Sequence, residues 1–273
     1  MNIDIYSENE HHVLEAFNRQ STVFDHIYSS NKMIDYKRKR VRDHIMQFLK
    51  PDSNILELNS GTGEDAIYFA KHGHHIHATD ISSGMLQILE QKVILQRLTG
   101  TITFENCSYI SLEKLKDKGP YDLIFSNFAG INCTNQLDSM LDSLPALLKP
   151  GGMITLVFLP PFCLWEFLML FKGKFRTSFR RFCGVKGAAA HIEGVSFRCW
   201  YYKPSHIIKK LKPGFHLLGY EGLCTVVPPS YMDTFADKHP HLYNTLKGYE
   251  TKLKDRWPWR NAGDYVILSF QKK

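Results

Sequence analysis

The chain has 273 residues, of which 44% are hydrophobic and 22% charged, and this composition excludes a disordered chain and permits a large buried core. The formal net charge of +7 favours anionic partners without specifying nucleic acid. The six cysteines form no Cys-x-x-Cys pair, so neither a zinc site nor a thioredoxin-type site is indicated, and free thiols in a reducing cytoplasm are expected. Met1–His12 is polar, so we expect no secretory signal.

The first fifty residues are predicted to be helical. Val41, Ile45 and Leu49 recur at helical spacing and lead to the turn Pro51–Asn54. The sequence therefore predicts an N-terminal helical cap over residues 1–50. Within this cap, Lys37-Arg38-Lys39-Arg40 is a run of four cations, which we interpret as a solvated helix face and not as a nucleic-acid signal.

Strands and helices alternate after this cap. The predicted strands are Ile55–Leu58, Ile76–Thr79, Ile102–Glu105, Tyr121–Ser126, Met153–Leu159, Phe215–Leu218 and Asp264–Phe270. The predicted helices are Glu64–His72, Ser83–Leu98 and Leu137–Leu148. Such alternation implies βαβ units, a parallel sheet and right-handed crossovers, and we assign residues 51–161 and 201–273 to this domain.

The alternation stops after Pro161. Residues 162–200 are rich in aromatic and basic residues and are predicted to be an insert that forms a substrate lid. Pro160, Pro161 and Glu166 interrupt the apolar stretch Met153–Phe171, which predicts a strand, a break and a separate helix instead of a membrane span. The alternative is that the insert is an amphipathic helix packed on the core with a solvated basic face.

The segment Ile55–Asp65 is the most informative part of the sequence. An apolar strand leads into a turn of small residues, and a helix begins at once. Gly61 and Gly63 can adopt positive φ and let the backbone approach a ligand closely. Open α/β sheets bind their ligands at such carboxyl ends of strands, so this turn predicts a binding site.

Two kinds of ligand fit the glycine turn at first sight. Gly61–Ala66 satisfies the G-x-G-x-x-A pattern of dinucleotide-binding folds, and Asp80 lies near the distance expected for a ribose contact. A pyrophosphate, however, would face Glu57, Glu64 and Asp65 with no basic residue in the turn. A ligand that carries an ammonium, a sulfonium and one carboxylate suits this acidity better, and S-adenosyl-L-methionine is such a ligand.

Four segments in chain order resemble class I S-adenosylmethionine-dependent methyltransferases of the small-molecule type. Ile55–Ala66 and His77–Ser82 resemble the first two family motifs, Leu148–Gly152 the landmark before the fifth strand, and Asp264–Lys273 the seventh strand. The resemblance implies a Rossmann-like, seven-stranded, mostly parallel sheet with the last strand antiparallel. It further implies helices on both faces, an N-terminal helical cap and a lid insert after strand 5. S-adenosyl-L-methionine would be the cofactor and S-adenosyl-L-homocysteine the product.

The resemblance also implies roles for individual residues. Glu57 would face the methionine ammonium, and Asp80 would accept hydrogen bonds from both ribose hydroxyls. Ser108 stands where the family commonly has an acidic residue near the adenine amino group. Asn59 stands where the family often has a glycine, and asparagine tolerates the left-handed conformation best among the other residues. The remaining implied cofactor-binding residues are Tyr28, Tyr36, Gly61, Thr62, Gly63, Ile81, Met85, Tyr109, Asn127 and Phe128.

The sequence limits the identity of the methyl acceptor mainly by excluding some classes of acceptor. Ser126-Asn127-Phe128-Ala129 lacks the two prolines typical of enzymes that methylate exocyclic amines of bases or glutamine. We expect a small, partly hydrophobic or anionic molecule that is methylated on oxygen or nitrogen, with no metal involved. Trp165, Tyr201 and Tyr202 are the predicted substrate residues, and His191 is the predicted general base because histidine titrates in the useful range.

Two other functions remain open at this point. The chain could be an RNA methyltransferase, which only its basic balance supports, or a non-catalytic dinucleotide- or cofactor-binding protein. We expect a cytoplasmic monomer or homodimer with no stable nucleic-acid or membrane partner. The four histidines at 72, 74, 75 and 77 surround a helix end and alternate along a strand, so we interpret them as structural and not as a metal site.

Overall fold

The centre of the molecule is a seven-stranded sheet. The computed structural model describes residues 7–273, so the first six residues of the predicted cap, and half of Met1–His12 with them, lie outside the described part. The strands are β1 (Asn54–Leu58), β2 (His75–Asp80), β3 (Ile102–Asn106), β4 (Tyr121–Ser126), β5 (Leu148–Phe158), β6 (Ala188–Ile192), β7 (Val195–Cys199), β8 (Phe215–Leu223) and β9 (Tyr265–Lys272). The sheet has the order β3-β2-β1-β4-β5-β9-β8, while β6 and β7 form a separate antiparallel hairpin.

Helices cover the sheet and extend over one of its edges. They are α1 (Glu8–Ser29), α2 (Lys32–Met46), α3 (Glu64–Lys71), α4 (Ser83–Leu95), α5 (Leu137–Leu147), α6 (Leu164–Leu168), α7 (Phe175–Phe179), α8 (Pro204–Leu211), α9 (Phe235–Lys238) and α10 (Pro240–Leu253). Polar caps fix where several of them begin. Ser7 and Glu10 form a capping box on α1, and Asn31 accepts hydrogen bonds from the first amides of α2.

Hydrophobic layers lie on both faces of the sheet. Within β1, Ile55 belongs to the layer under α3 and α4, whereas Leu56 and Leu58 belong to the layer under α5 and α8. This alternation buries a parallel strand on both sides, which explains why Ile55, Leu56 and Leu58 are all apolar. No helix in the described range is both long and apolar enough to cross a bilayer.

The predicted fold class is confirmed. β9 is antiparallel to both β5 and β8, and every other pairing within the large sheet is parallel. All seven predicted strands form, most of them a few residues longer or shifted at their ends. The hairpin β6–β7 inside the predicted insert and the helices α8 and α10 were not predicted. The parallel strands direct their carboxyl ends toward the edge that α1 and α2 cover.

Candidate active site

A cavity of about 340 Å³ lies at the carboxyl ends of β1 to β4, beneath α1 and α2. Its volume is in the range of small-molecule sites in proteins. Most of the predicted cofactor-binding residues line it, namely Tyr28, Glu57, Asn59, Gly61, Thr62, Asp80, Ile81, Met85, Ser108, Tyr109, Asn127 and Phe128. The sheet therefore brings together side chains from four separate strand ends at one place.

The glycine turn after β1 depends on two left-handed glycines. Gly61 has φ +56° and Gly63 has φ +79°, a region that side chains with a Cβ adopt only with strain. A Cβ at position 63 would also overlap the side chain of Leu89. Gly63 itself does not line the cavity. Its contribution is the conformation that starts α3 and lets α4 pack closely against the turn.

Asn59 adopts the left-handed conformation predicted for it, with φ +48°. Its side chain also connects two strand ends. Ser126 Oγ donates to Asn59 Oδ1 over 2.6 Å, and Asn59 Nδ2 donates to the carbonyl oxygen of Asn127 over 2.9 Å. A glycine at this position would lack both bonds, so Asn59 fixes the glycine turn to the end of β4.

Asp80 ends β2 with its carboxylate in the cavity wall. The amide of Gly61 donates to its Oδ2 and the amide of Ser82 to its Oδ1, both over 2.8 Å. Burial raises the pKa of Asp80 to about 6 although these bonds favour the charged form. Asp80 is thus held in place, is mostly ionised at neutral pH, and can accept further hydrogen bonds from a ligand.

Glu57 is a buried carboxyl group that lacks a complete set of partners. It is 3% exposed, it lines the cavity, and its Oε2 has no hydrogen-bond partner among the described residues. Burial and the nearby Asp65 carboxylate raise its pKa. Because an unpaired buried acceptor is costly, this position fits a ligand that brings a cationic donor. The ammonium of S-adenosyl-L-methionine is such a group.

The other acidic residues of the turn are neutralised by cations from outside it. Arg38 and Arg42 of α2 bind the two carboxylate oxygens of Asp65 over 2.9 and 2.7 Å, and Lys92 of α4 binds Glu64 over 2.7 Å. Burial would raise the pKa of Asp65, but the two guanidinium groups outweigh it and lower that pKa. The sequence argument from three uncompensated carboxylates is therefore wrong for Glu64 and Asp65.

The run Lys37-Arg38-Lys39-Arg40 is not the solvated face that the sequence predicts. Lys37 is buried, Arg38 binds Asp65, and Arg40 donates to Glu221 over 2.9 Å. Only Lys39 is exposed within this run. The cations turn inward because buried carboxylates on several elements require counter-charges.

Aromatic rings and one ammonium also line the cavity. Lys37 Nζ donates to Ser230 Oγ over 2.9 Å and lies 3.6 Å from Asp264 Oδ2. It also lies 4.5 Å from the ring centroid of Tyr265 and 5.7 Å from that of Phe128. Burial would lower the pKa of Lys37, but Tyr265 and Asp264 outweigh it and raise that pKa, so Lys37 is an ammonium at neutral pH.

The backbone after β4 is strained where it meets the cavity. Phe128 has φ +49° and Ala129 has φ +64°, two consecutive left-handed residues that are not glycine. The Phe128 amide donates to Asn127 Oδ1 over 2.8 Å, and the Ala129 amide donates to the Val157 carbonyl over 3.1 Å. Such strain is concentrated at functional sites, and here it turns the Phe128 ring toward the cavity.

One predicted cofactor residue lies elsewhere. Tyr36 does not line the cavity; its hydroxyl accepts a hydrogen bond from Arg40 over 3.0 Å, and its ring packs edge-on against Tyr243 of α10. The prediction for Tyr36 is corrected accordingly. The physical reason is that α2 is wedged between the cavity and α10, and Tyr36 lies on the α10 side.

The predicted acceptor residues also lie outside the cavity. His191 is exposed on β6, where Nδ1 pairs with Ser196 Oγ over 3.1 Å. The Tyr202 hydroxyl donates to the Thr134 carbonyl. Trp165 and Tyr201 are likewise absent from the lining. The structure thus gives His191, Trp165, Tyr201 and Tyr202 no contact with the cavity.

The predicted lid is corrected as well. Of residues 162–200, only Ile192 in the hairpin lines the cavity within the described chain. Arg181 holds the rest of the insert against the core, because it binds Glu166 over 2.6 Å and Asp264 over 2.7 Å. The side chains of α1 and α2 form the cover that was assigned to the insert.

Apart from Tyr28, the sequence analysis missed the residues that α1 and α2 contribute to the cavity. Glu10, Lys37 and Arg38 all line it, together with apolar residues of the same helices, namely Val13, Phe17, Phe24 and Ile34. The capping-box pattern Ser7-x-x-Glu10 was the one local signal available. It marks the start of a helix and gives no indication of what Glu10 touches across the fold.

Comparisons with known proteins relate this chain to methyltransferases. Residues 55–152 match the family model described as "Methyltransferase domain". The tRNA 5-carboxymethoxyuridine methyltransferase of Escherichia coli K12 is 26% identical over 117 residues, which are 42% of this chain and 44% of that protein. The chain therefore spans less than half the length of this relative.

Two solved structures share the fold over nearly the whole chain. The 1,6-didemethyltoxoflavin-N1-methyltransferase of Burkholderia thailandensis has a TM-score of 0.58 at 13% identity and covers 100% of this chain and 93% of its own. The [4+2]-cyclase SpnF has a TM-score of 0.62 at 15% identity, with 95% and 94% covered. The cyclisation in its name shows that this fold also hosts other reactions.

Residues 55–152 thus carry a methyltransferase domain, and the chain has the fold of solved S-adenosylmethionine-dependent methyltransferases.

Proposed function

We propose that this chain transfers a methyl group from S-adenosyl-L-methionine to an oxygen or nitrogen of a small, partly hydrophobic or anionic molecule. One observation carries the proposal: the lining of a single cavity has two chemically different parts, here called its acidic end and its aromatic end. One end presents Glu57 and Asp80 at the ends of β1 and β2, and the other presents aromatic rings and Lys37. When bound, the cofactor supplies a carbon activated by its sulfonium, and the protein holds the acceptor in line with it.

The acidic end supports the donor. The unpartnered Glu57 Oε2 suits the methionine ammonium, and the fixed carboxylate of Asp80 suits the two ribose hydroxyls. Ile81 and Met85 follow Asp80 along the cavity wall and offer apolar contact to adenine. A dinucleotide is the competing ligand, but its pyrophosphate brings no cationic donor to the unpartnered Glu57 Oε2. Calorimetry with S-adenosyl-L-homocysteine and NAD separates the two, and we expect binding of the first alone.

The aromatic end supports the acceptor class. Phe24 and Tyr28 lie there with ring centroids 4.7 Å apart, and Phe128 meets Tyr265 edge-on at 6.3 Å. These rings suit a planar apolar body. The ammonium of Lys37, between Phe128 and Tyr265, suits an anionic substituent on that body.

The same end offers no group suited to remove a proton at neutral pH. No histidine of residues 7–273 lines the cavity, and burial raises the pKa of both Tyr28 and Tyr265. A base is required only for an acceptor that keeps a proton of high pKa. We therefore favour an acceptor atom that arrives as an oxygen anion or an uncharged nitrogen, and Lys37 would stabilise the anion.

Methyl transfer from labelled S-adenosyl-L-methionine to a panel of aromatic carboxylates, phenols and aryl amines tests the proposal. Lys37→Met should lower kcat/KM for anionic acceptors by about tenfold or more while affinity for S-adenosyl-L-homocysteine is retained. Lys39→Met, at the exposed neighbour, is the matched control and should change neither. Label that appears in no small acceptor, or equal turnover of anionic acceptors by Lys37→Met, would contradict the proposal.

RNA is the second candidate acceptor, because the Escherichia coli relative is named as a tRNA methyltransferase. Arg38 and Arg40 pair with buried carboxylates and Lys37 is buried at the cavity, so Lys39 is the one exposed cation that this run offers to the phosphates of a large RNA. We expect weak RNA binding and no label in RNA. Tight binding that falls steeply with salt, accompanied by labelled RNA, would favour this candidate over the first.

A further inference from the structure

We propose that Glu10 of α1 selects adenine in the methyl donor by accepting a hydrogen bond from its exocyclic amino group. This inference rests on the proposed function and names a residue that recognises its cofactor. Glu10 is only 4% exposed, yet it lines the cavity. A buried carboxylate in a ligand cavity is informative, because burial of this charge is costly unless its oxygens are well bonded.

The bonds of Glu10 leave it room for a ligand donor. Its Oε1 accepts from Ser108 Oγ over 2.6 Å, and its Oε2 accepts from the Ser7 amide over 3.1 Å. A carboxylate offers about four acceptor positions, of which these bonds use two. The Ser108 hydroxyl uses its one hydrogen in the hydrogen bond to Glu10. The Ser108 oxygen accepts a hydrogen bond from the Ile110 amide over 3.3 Å. The stronger remaining acceptor of this pair is therefore Glu10.

The position of Glu10 matches the base end of the donor. With Asp80 on the ribose, the base extends along Ile81 and Met85 toward the loop after β3, where Ser108 lies. The hydroxyl of Tyr109 in that loop is occupied by the Gly130 carbonyl, to which it donates over 2.9 Å. Among the polar groups of this end, Glu10 is the charged acceptor.

Glu10 thus supplies the carboxylate that the loop after β3 lacks at Ser108. It comes from a helix 98 residues earlier in the chain. An amino group at position 6 of the purine can donate to this carboxylate. An oxo group at the same position would place an acceptor against an acceptor, and a buried site rejects such a mismatch strongly.

Calorimetry with S-adenosyl-L-homocysteine and its inosine analogue, S-inosyl-L-homocysteine, tests the proposal. The wild-type protein should prefer the adenosine compound by about tenfold or more. Glu10→Gln should lower affinity for that compound about tenfold and spare affinity for the inosine compound, because an amide can donate to the oxo group. The glutamine oxygen can still accept from the Ser7 amide, so the capping box is preserved.

Glu8→Gln is the matched control. Glu8 is exposed in the first turn of the same helix, so this change removes the same charge near the same helix end. The Glu8→Gln variant should prefer the adenosine compound as strongly as the wild type does. An unchanged preference in Glu10→Gln, or equal losses of affinity for both compounds with a lower Tm, would overturn the proposed role of Glu10. Neither result would contradict the proposed function. If the wild-type protein binds neither compound, both the proposed role of Glu10 and the proposed function are wrong.

Discussion

Asn59 occupies the space into which a Cβ at position 130 would project. Such a Cβ would overlap the Asn59 side chain, although the φ of Gly130 is compatible with other residues. Asn59 follows β1 and Gly130 follows β4, so the two loops that flank the cavity are matched in volume. The asparagine in the glycine turn is therefore accommodated by a glycine on the opposite loop.

Gly130→Ala should destabilise the protein by about 1–3 kcal/mol, because the added methyl group has no space. A chain of this size should lose about 2–4 °C in Tm for each kcal/mol. Asn59→Gly in the same chain should restore much of this loss, since it removes the overlapping side chain. Thermal unfolding of both single variants and the double variant measures the coupling. Strictly additive losses would show that the two loops are independent.

Cofactor binding should release a proton from Glu57. Burial and Asp65 raise its pKa in the free protein, and a bound ammonium would favour the charged form. Calorimetry at several pH values, in buffers of different ionisation enthalpy, measures this release, and comparison with Glu57→Gln separates it from protons released at Asp80. Glu57→Gln should bind S-adenosyl-L-homocysteine more weakly and release no proton from this position.

The same variant provides a stability test. A carboxyl group whose pKa is raised by folding stabilises the protein below its ordinary pKa, and this contribution is lost as the pH rises through the raised value. The free Glu57→Gln protein should therefore lose less stability than the wild type between acidic and neutral pH. Parallel pH profiles of the two proteins would mean that Glu57 is ionised in the free state and would undermine the proton release as well.

Cofactor affinity should depend on pH through Asp80. Its carboxylate, with a pKa of about 6, must be ionised to accept from both ribose hydroxyls. Affinity for S-adenosyl-L-homocysteine should fall as the pH drops through this value. Asp80→Ala should lose two charge-assisted bonds of about 1.5–3 kcal/mol each and lose this fall, while any pH dependence that comes from Glu57 remains. Unchanged affinity in this variant would remove Asp80 from the site.

Arg181→Met should destabilise the fold while it spares ligand binding. The change leaves the buried carboxylates of Glu166 and Asp264 short of a partner, although Arg180 and Lys37 remain near them. The cost should therefore be about 3 kcal/mol, the lower end for a broken buried pair. Urea unfolding and calorimetry with S-adenosyl-L-homocysteine measure the two effects.

Arg176→Met is the control for the insert, since Arg176 is exposed in α7 and should be neutral in both measurements. The outcome distinguishes a scaffold from a lid. If Arg181→Met kept its stability and lost acceptor turnover, the insert would have the role in substrate binding that the sequence suggests.

Local signals in the sequence predict the centre of this site well. The apolar run of β1, the small residues after it and the immediate start of α3 are adjacent in the chain, so their pattern specifies the turn. The left-handed conformation of Asn59 was predicted from residue type alone and is confirmed. Asp80 follows from the same reasoning, because it ends the neighbouring parallel strand.

The residues that cover the cavity cannot be predicted from local sequence patterns, because their orientation depends on distant parts of the fold. Helical periodicity shows that α2 has buried positions, but not that Lys37 turns to the cavity and Tyr36 to α10. His191 lies after a glycine and three alanines, which suggested a flexible approach to the site. Those residues instead begin β6, and pairing with β7 leaves His191 exposed. Both errors concern the direction of a side chain relative to a distant partner.

The pairing of Asp65 with Arg38 and Arg42 bears on how this protein can change over evolutionary time. The charge lies in the segment whose sequence most resembles other methyltransferases, and both counter-charges lie in a helix outside the matched residues 55–152. Loss of Asp65 alone would leave two guanidinium groups facing each other, and loss of either arginine would weaken the balance. Related chains should therefore gain or lose these three residues together, so that the helical cap and the matched domain are inherited as one unit.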